Sequence, residues 1–349
     1  MIFGMRYGMI VYKIKQVDTK VYKAIPECTR LYEKIRPYTI VFFRTAIVGT
    51  IEFWKGETDM SEVLKQDLSQ EADSPDLFMI ELLFEDKPAL LEPEMVKAAA
   101  EEKFGEVDAV STAGEMLSFA VKKYAVHFEN GDVPPLVVLG QGLEFDSGEI
   151  GEFERYQLWD VQDGSELLDR CRYRCFITVM MGSAMEYKDR CELLMDWLEC
   201  VLGLYPDCKA VWTPTAGKLL TPEQVMENSG NREVRFIRNC VNARFFNIDG
   251  TDGDMIVDTL GDYAIDLPDI QVHFRGLEVD DVVNYVYNMA FFFYITGETV
   301  HIGEVVDGLD ENGEISTGVE WGCQFEDSLI QPARLVLDID PGEYAAGTR

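Results

Sequence analysis

The chain shows a regular succession of apolar and polar positions from residue 76 onward. The apolar run DLFMIELLFED (76–86) predicts a strand, and the Ala/Glu/Lys-rich stretch EPEMVKAAAEEKFG (92–105) predicts a helix that ends at its glycine. A second pair follows, in which RCRYRCFITVMM (170–181) predicts a strand and EYKDRCELLMDWLECVLG (186–203) a helix. Apolar residues recur at three- and four-residue spacings in this second helix, so we expect one of its faces to pack in a core.

The C-terminal part continues this succession. The runs MIVDTLGDYAI (255–265) and IQVHFRG (270–276) have the character of strands, and VDDVVNYVYNMAFFFYITG (279–297) predicts a helix that ends at its glycine. Because its aromatic and aliphatic residues surround that helix, we expect it to be buried. Further strands are expected around Val300, Trp321 and Leu335.

Two Asn-Gly pairs, at 130–131 and 312–313, are typical of tight hairpin turns. Hairpins with interspersed helices predict the α+β class, with mostly antiparallel sheets, packed helices and two parts. We expect an N-terminal α+β domain at 60–250, a C-terminal α+β domain at 251–341 and a short tail at 342–349.

Residues 1–59 differ from the rest and are predicted to be a misread leader or a disordered extension. Lys55, Gly56 and Glu57 can be encoded by AAA-GGA-GAG, which resembles a bacterial ribosome-binding sequence, at the usual distance before a start codon at Met60. The apolar run at 39–54 is too short for a membrane span, and Arg44 interrupts it. A real basic extension is the alternative to a leader.

The charge is strongly uneven along the chain. Residues 1–55 hold ten Lys/Arg and four Asp/Glu, which gives this segment a net charge of +6. Because the whole chain has a net charge of −32, residues 56–349 carry −38. Nucleic acid and anionic membranes attract clustered Lys and Arg, so we expect neither as a partner. A basic protein is the partner that such a charge favours, while a solvated acidic surface without a partner is the alternative.

The chain offers little to a metal or a cofactor. Eight cysteines are dispersed without a CxxC motif, which is typical of buried, reduced thiols in a cytoplasmic protein. The three histidines, His127, His273 and His301, form no group with zinc spacing. The acidic turns at 249–254 and 307–314 lack the ligand positions of a calcium loop. We therefore expect no metal, no cofactor and no catalytic residue set.

Three arginines at alternate positions, Arg170, Arg172 and Arg174, are the candidate site for an anionic ligand. On a strand their guanidinium groups share one face and can bind a carboxylate or a phosphate. Ion pairs with the many acidic residues are the alternative. An enzyme acting on a small anionic substrate, with Asp262 as its base, remains a rival function on this basis.

Residues 258–274, DTLGDYAIDLPDIQVHF, followed by the aromatic helix, resemble the bacterial family of domain of unknown function 4261. The resemblance extends from about Met255 to Pro341, and its markers are Thr259-Leu260-Gly261 and Leu267-Pro268-Asp269. It implies an architecture and a bacterial cytoplasmic setting, but no mechanism.

These observations favour a non-enzymatic, protein-binding factor of the inhibitor or immunity type. A structural subunit of a larger assembly is a third possibility, and the oligomeric state stays open.

Overall fold

The computed structural model describes residues 78–112, 114–128, 131–297, 300 and 304–347, so the predicted leader at 1–59 lies outside the described residues. The described part divides into two compact units. We call residues 78–242 with 260–266 the N-terminal unit, and residues 243–259 with 267–347 the C-terminal unit.

A seven-stranded antiparallel sheet forms the centre of the N-terminal unit, in the order β2-β3-β6-β7-β1-β8-β9. A separate hairpin joins β4 and β5, as the Asn-Gly pair at 130–131 predicts. The strands are β1 (Met79–Phe84), β2 (Val107–Ser111), β3 (Met116–Val121), β4 (Val126–Phe128), β5 (Gly131–Val133), β6 (Leu136–Glu144), β7 (Tyr173–Met180), β8 (Ala210–Thr213) and β9 (Lys218–Leu220).

The described part of this unit also contains six helices, α1 (Pro93–Phe104), α2 (Glu152–Arg155), α3 (Gly164–Arg170), α4 (Tyr187–Leu204), α5 (Pro222–Asn228) and α6 (Arg235–Cys240). The helix α1 has a proline in its first turn and ends before Gly105, whose φ of 83° suits glycine. The predicted apolar face of α4 is buried, and the Trp197 indole on it donates to the carbonyl of Val138 at 2.9 Å. These helix predictions are therefore confirmed.

The C-terminal unit is built on a six-stranded sheet in the order β10-β11-β12-β15-β14-β13, in which β12 and β15 are parallel. The strands are β10 (Asn242–Asn247), β11 (Asp254–Leu260), β12 (Asp269–Arg275), β13 (Val305–Leu309), β14 (Ile315–Asp327) and β15 (Leu335–Asp340). The helix α7 (Val279–Thr296) ends at Gly297 with φ 67°, as predicted. Its Tyr285 is buried edge-on against Trp321, with ring centroids 4.8 Å apart.

The α+β class with mostly antiparallel sheets in two parts is thus confirmed. One strand boundary was wrong: Arg170 is the last residue of α3, and β7 begins only at Tyr173. The reason is that Leu167 and Leu168 of α3 are buried in the core, and the helix they anchor continues to Arg170. The seven described cysteines are free thiols, and six of them are buried.

Candidate protein-binding surface

The three candidate arginines all contact the protein itself. The Arg170 guanidinium binds the Glu85 carboxylate at 2.8 Å, and that of Arg174 binds Glu81 at 2.7 Å. Arg172 donates to the backbone carbonyls of Cys171, at 2.9 Å, and Asp169. The ion pairing weighed against an anion site is therefore present for two of the three.

Immediately before Arg170 lies a strongly acidic part of the described chain, residues 144–169, which we call the acidic segment. It contains nine carboxylates and one cation, Arg155, for a net charge of −8. Eight of the carboxylates are exposed: Glu144, Asp146, Glu149, Glu152, Glu154, Asp163, Glu166 and Asp169. This concentration of charge produces a strong local negative potential.

Apolar side chains fix the acidic segment on the sheet. Phe145, Leu158, Leu167 and Leu168 are buried in one cluster with strand residues such as Trp212. Burial of a side chain of this size contributes about 1.5–3 kcal/mol. The acidic residues between these anchors therefore have a defined backbone rather than that of a solvated tail.

The single cation of the segment ties its loops together. Arg155 donates to the backbone carbonyls of Ser147 at 2.6 Å, Ile150 at 3.1 Å and Ser165 at 3.4 Å. It also pairs with the Asp169 carboxylate at 3.0 Å. Because Arg155 is engaged in this way, it neutralises little of the surface outside its own neighbourhood.

A second ion pair anchors the middle of the segment. Lys218 on β9, with a side chain only 2% exposed, binds Asp160 at 3.0 Å. The Gln224 amide donates to the Asp160 carbonyl at 2.7 Å, and the Asn242 amide donates to the Gln157 carbonyl at 3.2 Å. Backbone and side chain are thus both held, which lowers the conformational entropy that binding would cost.

Two aromatic side chains project from this acidic surface. Tyr156 is 63% exposed and Trp159 is 45% exposed, although the indole N–H of Trp159 donates to Gln157 at 3.0 Å. Exposed Tyr and Trp are enriched at protein interfaces, and their rings attract Lys and Arg cations. Carboxylates with exposed aromatic rings on a fixed backbone are chemically suited to a basic, arginine-rich surface.

The pKa of Asp169 depends on two contacts within this segment. The Ser147 hydroxyl, 2.9 Å away, and the Arg155 guanidinium hold the pKa of Asp169 below its ordinary value of 3.8. A lowered carboxyl pKa contributes stability that is present above pH 3.8 and is lost as the pH falls through the folded-state pKa. We expect Ser147→Ala to raise this pKa toward 3.8, as measured by carboxyl-carbon NMR titration. Ser165→Ala, a serine of the same segment, is the control, and an unchanged Asp169 titration in Ser147→Ala would contradict the assignment.

The C-terminal unit contains a different charged group, which is enclosed. Arg334 is 1% exposed and donates to Asp269 at 2.6 Å and Asp258 at 2.8 Å, both carboxylates being fully buried. Arg244 forms a two-point contact with the same Asp258, at 2.9 and 2.5 Å. Each charge here has a partner, so this network is a structural element rather than an open binding site.

Two of the residues that carry the family resemblance, Thr259 and Asp269, belong to this enclosed network. The Thr259 hydroxyl lies 3.2 Å from the Asp269 carboxylate and accepts from the Ile270 amide at 2.8 Å. Gly261 has φ 137°, a conformation that suits glycine. Asp262, the base of the rival enzyme hypothesis, is 1% exposed.

Of the two described histidines, His127 is exposed and contacts Asp132 across the β4–β5 hairpin.

A comparison with protein families identifies the C-terminal part of the chain. The model of the family described as Domain of unknown function (DUF4261) matches residues 258–340, which confirms the resemblance predicted for about Met255 to Pro341. The matched range is less than half of the chain and does not include the acidic segment. Neither the curated proteins nor the solved structures give a match.

The described residues also bear on metal binding and on membrane insertion. No group of three or more His, Cys, Asp and Glu side chains among them is arranged to hold a metal ion. None of the helices in this part of the chain is long and apolar enough to cross a membrane.

The acidic segment is visible in the sequence, but the sequence-based prediction placed the candidate site at the neighbouring arginines 170–174 instead. Nine carboxylates lie within residues 144–169, together with Tyr156 and Trp159 and a single cation, which is an unusual excess of one charge for a stretch of this length. What could not be seen from the sequence is that Arg155 and Lys218 would fix this segment in place.

Proposed function

We propose that the protein is a non-enzymatic binding factor of the bacterial cytoplasm that takes up a basic partner protein on its acidic segment. The observation that supports this most is the fixed surface at 144–169, where eight exposed carboxylates accompany two exposed aromatic rings. An inhibitor or immunity-type factor works by such occupation of a partner's surface. The cationic patch of the partner would lie over the segment and exclude other ligands from it.

In this proposal the charges and the aromatic rings of the segment have different roles. Its net charge of −8 raises the rate at which a cationic surface arrives, because opposite potentials steer diffusional encounter. Tyr156 and Trp159 then supply contact area and cation–π attraction, worth about 0.5–1 kcal/mol for each exposed pair. Charge thereby governs association, and the aromatic rings slow dissociation.

The test compares two sets of variants that change the net charge equally. The segment set is Glu149→Gln, Glu152→Gln, Glu154→Gln and Asp163→Asn, none of which has a side-chain ion pair within 4.0 Å. The control set, in exposed positions elsewhere, is Glu227→Gln, Asp252→Asn, Glu311→Gln and Glu343→Gln. Each set removes four negative charges.

We expect a hexa-arginine peptide to bind the segment set about tenfold more weakly than the parent chain, and the control set less than about threefold more weakly, by calorimetry. Trp159→Ala should weaken binding of the peptide about threefold, because a cation–π contact is lost. For the parent chain, association should slow as salt rises from about 0.05 to 0.5 M, since the Debye length then falls below about 10 Å. Equal losses in the two sets would assign the attraction to overall charge and refute the segment as the site.

The partner itself is sought by cross-linking in the native cell. A basic protein should be recovered with the parent chain and the control set but lost with the segment set. Recovery of only neutral or acidic proteins would contradict the proposal.

A further inference from the structure

A pocket of about 240 Å³ opens where β7 ends and α4 begins. All its lining residues belong to the N-terminal unit. The walls are mostly apolar, and they include Phe78, Val179, Leu194, Phe236 and Ile265. The pocket is smaller than the roughly 300–1,000 Å³ of sites for drug-sized molecules, so its ligand would have about ten non-hydrogen atoms.

One charged side chain is present among the described residues that line this pocket, Arg190 on α4. Its side chain is 23% exposed, and its Nη2 lies 3.4 Å from the carboxylate of Asp266, which is itself 78% exposed. That distance is long for a charge-assisted hydrogen bond, which is ordinarily about 2.7–2.9 Å. The Asp266 carboxylate is therefore a weak partner that another carboxylate can replace.

The backbone around the pocket is constrained. Among the described non-glycine residues, two adopt positive φ: Met181, at 60°, lines the pocket, and Asp266, at 66°, pairs with Arg190. Such conformations are unfavourable for residues with a side chain and are concentrated at ligand sites. Met180 and Met181 are 45% and 57% exposed, and flexible thioethers adapt to apolar ligands of varied shape.

We propose that this pocket binds a small monocarboxylate with an apolar body, such as an aryl- or branched alkyl-substituted acid. The apolar body would pack against Phe78, Leu194 and Phe236, and the carboxylate would accept two hydrogen bonds from Arg190 in place of Asp266. This site is distinct from the acidic segment and from the arginine row at 170–174. It adds a small-molecule ligand to the protein-binding function.

Two substitutions of opposite expected sign test the carboxylate contact, with 3-phenylpropionate as the probe and calorimetry as the measurement. Arg190→Gln should raise its Kd about tenfold or more, because it removes the charge that binds the carboxylate. Asp266→Asn should lower the Kd by about threefold to tenfold, because Arg190 loses its competing partner. Asparagine tolerates positive φ, so the backbone at residue 266 is preserved.

The neutral isostere 3-phenylpropanamide is the control for folding and for the apolar contacts. Its Kd should be the same in the parent chain and in Arg190→Gln, which shows that the pocket remains intact. A Kd for 3-phenylpropionate that is unaffected by Arg190→Gln, or no binding up to about 10 mM, would overturn the proposal.

Salt separates this site from the acidic segment. The net charge of −32 repels a carboxylate while Arg190 attracts it, and salt screens both interactions, so we expect the Kd of 3-phenylpropionate to change by less than about threefold between about 0.05 and 0.5 M salt. The arginine peptide should bind more weakly over the same range. A small change for 3-phenylpropionate supports a site separate from the acidic segment, while a loss as steep as that of the peptide would overturn the proposal.

Discussion

Arg334→Met is expected to destabilise the C-terminal unit by about 3–5 kcal/mol, because it leaves Asp258 and Asp269 buried without their shared cation. The loss extends beyond the two carboxylates. Arg334 also donates to the carbonyls of Thr259 at 2.7 Å and of Ile330 and Pro332 at 3.0 Å. These three acceptors surround a side chain that is 1% exposed, so water cannot replace the donor without opening the structure.

The measurement is urea unfolding of this unit, followed by hydrogen exchange of peptides from β12 and β15. With a slope of about 1–3 kcal/mol/M, the midpoint should fall by about 2 M. Arg275→Met is the matched control, because Arg275 is 54% exposed in its pair with Asp254, so water can reach the Asp254 carboxylate when the cation is removed, and we expect a smaller loss than for Arg334→Met. Equal midpoints for the two variants would show that the fully buried network contributes no more than a pair whose cation is exposed.

Gly261→Ala is the second substitution with a large expected effect, about 3 kcal/mol or more. A Cβ atom at this position would lie 2.4 Å from the carbonyl oxygen of Cys240 and 3.1 Å from the Cα of Val241. Both are backbone atoms, which cannot rotate away as a side chain does. The φ of 137° adds conformational strain for any residue other than glycine.

Gly217→Ala separates the strain from the clash. Gly217 also has a positive φ, 57°, but a Cβ there would meet no atom within 4 Å. We therefore expect Gly217→Ala to cost about 1–2 kcal/mol, the penalty for the left-handed conformation alone. Thermal and urea unfolding of the N-terminal unit compare the two variants. A loss for Gly261→Ala no larger than that for Gly217→Ala would refute the close approach to Cys240.

Features that depend on neighbouring residues in the chain were predictable from the sequence. The helix α7 followed from its continuous apolar and aromatic residues, and its end from Gly297. The hairpin between β13 and β14 followed from the Asn-Gly pair at 312–313. Short sequence markers carried the resemblance of the C-terminal part to its family. One of these markers is Gly261, and the close approach of the Cys240 carbonyl explains why a glycine is needed there.

The partners of charged residues required the tertiary structure. Antiparallel pairing of β1 with β7 places Glu81 beside Arg174, while Arg170 ends a helix and contacts Glu85. Three alternate arginines in the sequence therefore did not become one shared face. The pocket at Arg190 could not be predicted either, because its lining joins residues as far apart as Phe78 and Ile265.

The sequence by itself determined the fold class, the apolar faces of the long helices and the acidic excess, because these depend on composition and on local periodicity. Only the tertiary structure decided which of the carboxylates are buried ion-pair partners, as Asp258 and Asp269 are, and which form an exposed surface, as at 144–169. A carboxylate has the same side chain in both settings. Its role depends on desolvation and on cations brought near it by contacts between distant residues, such as Arg334 at 76 positions from Asp258.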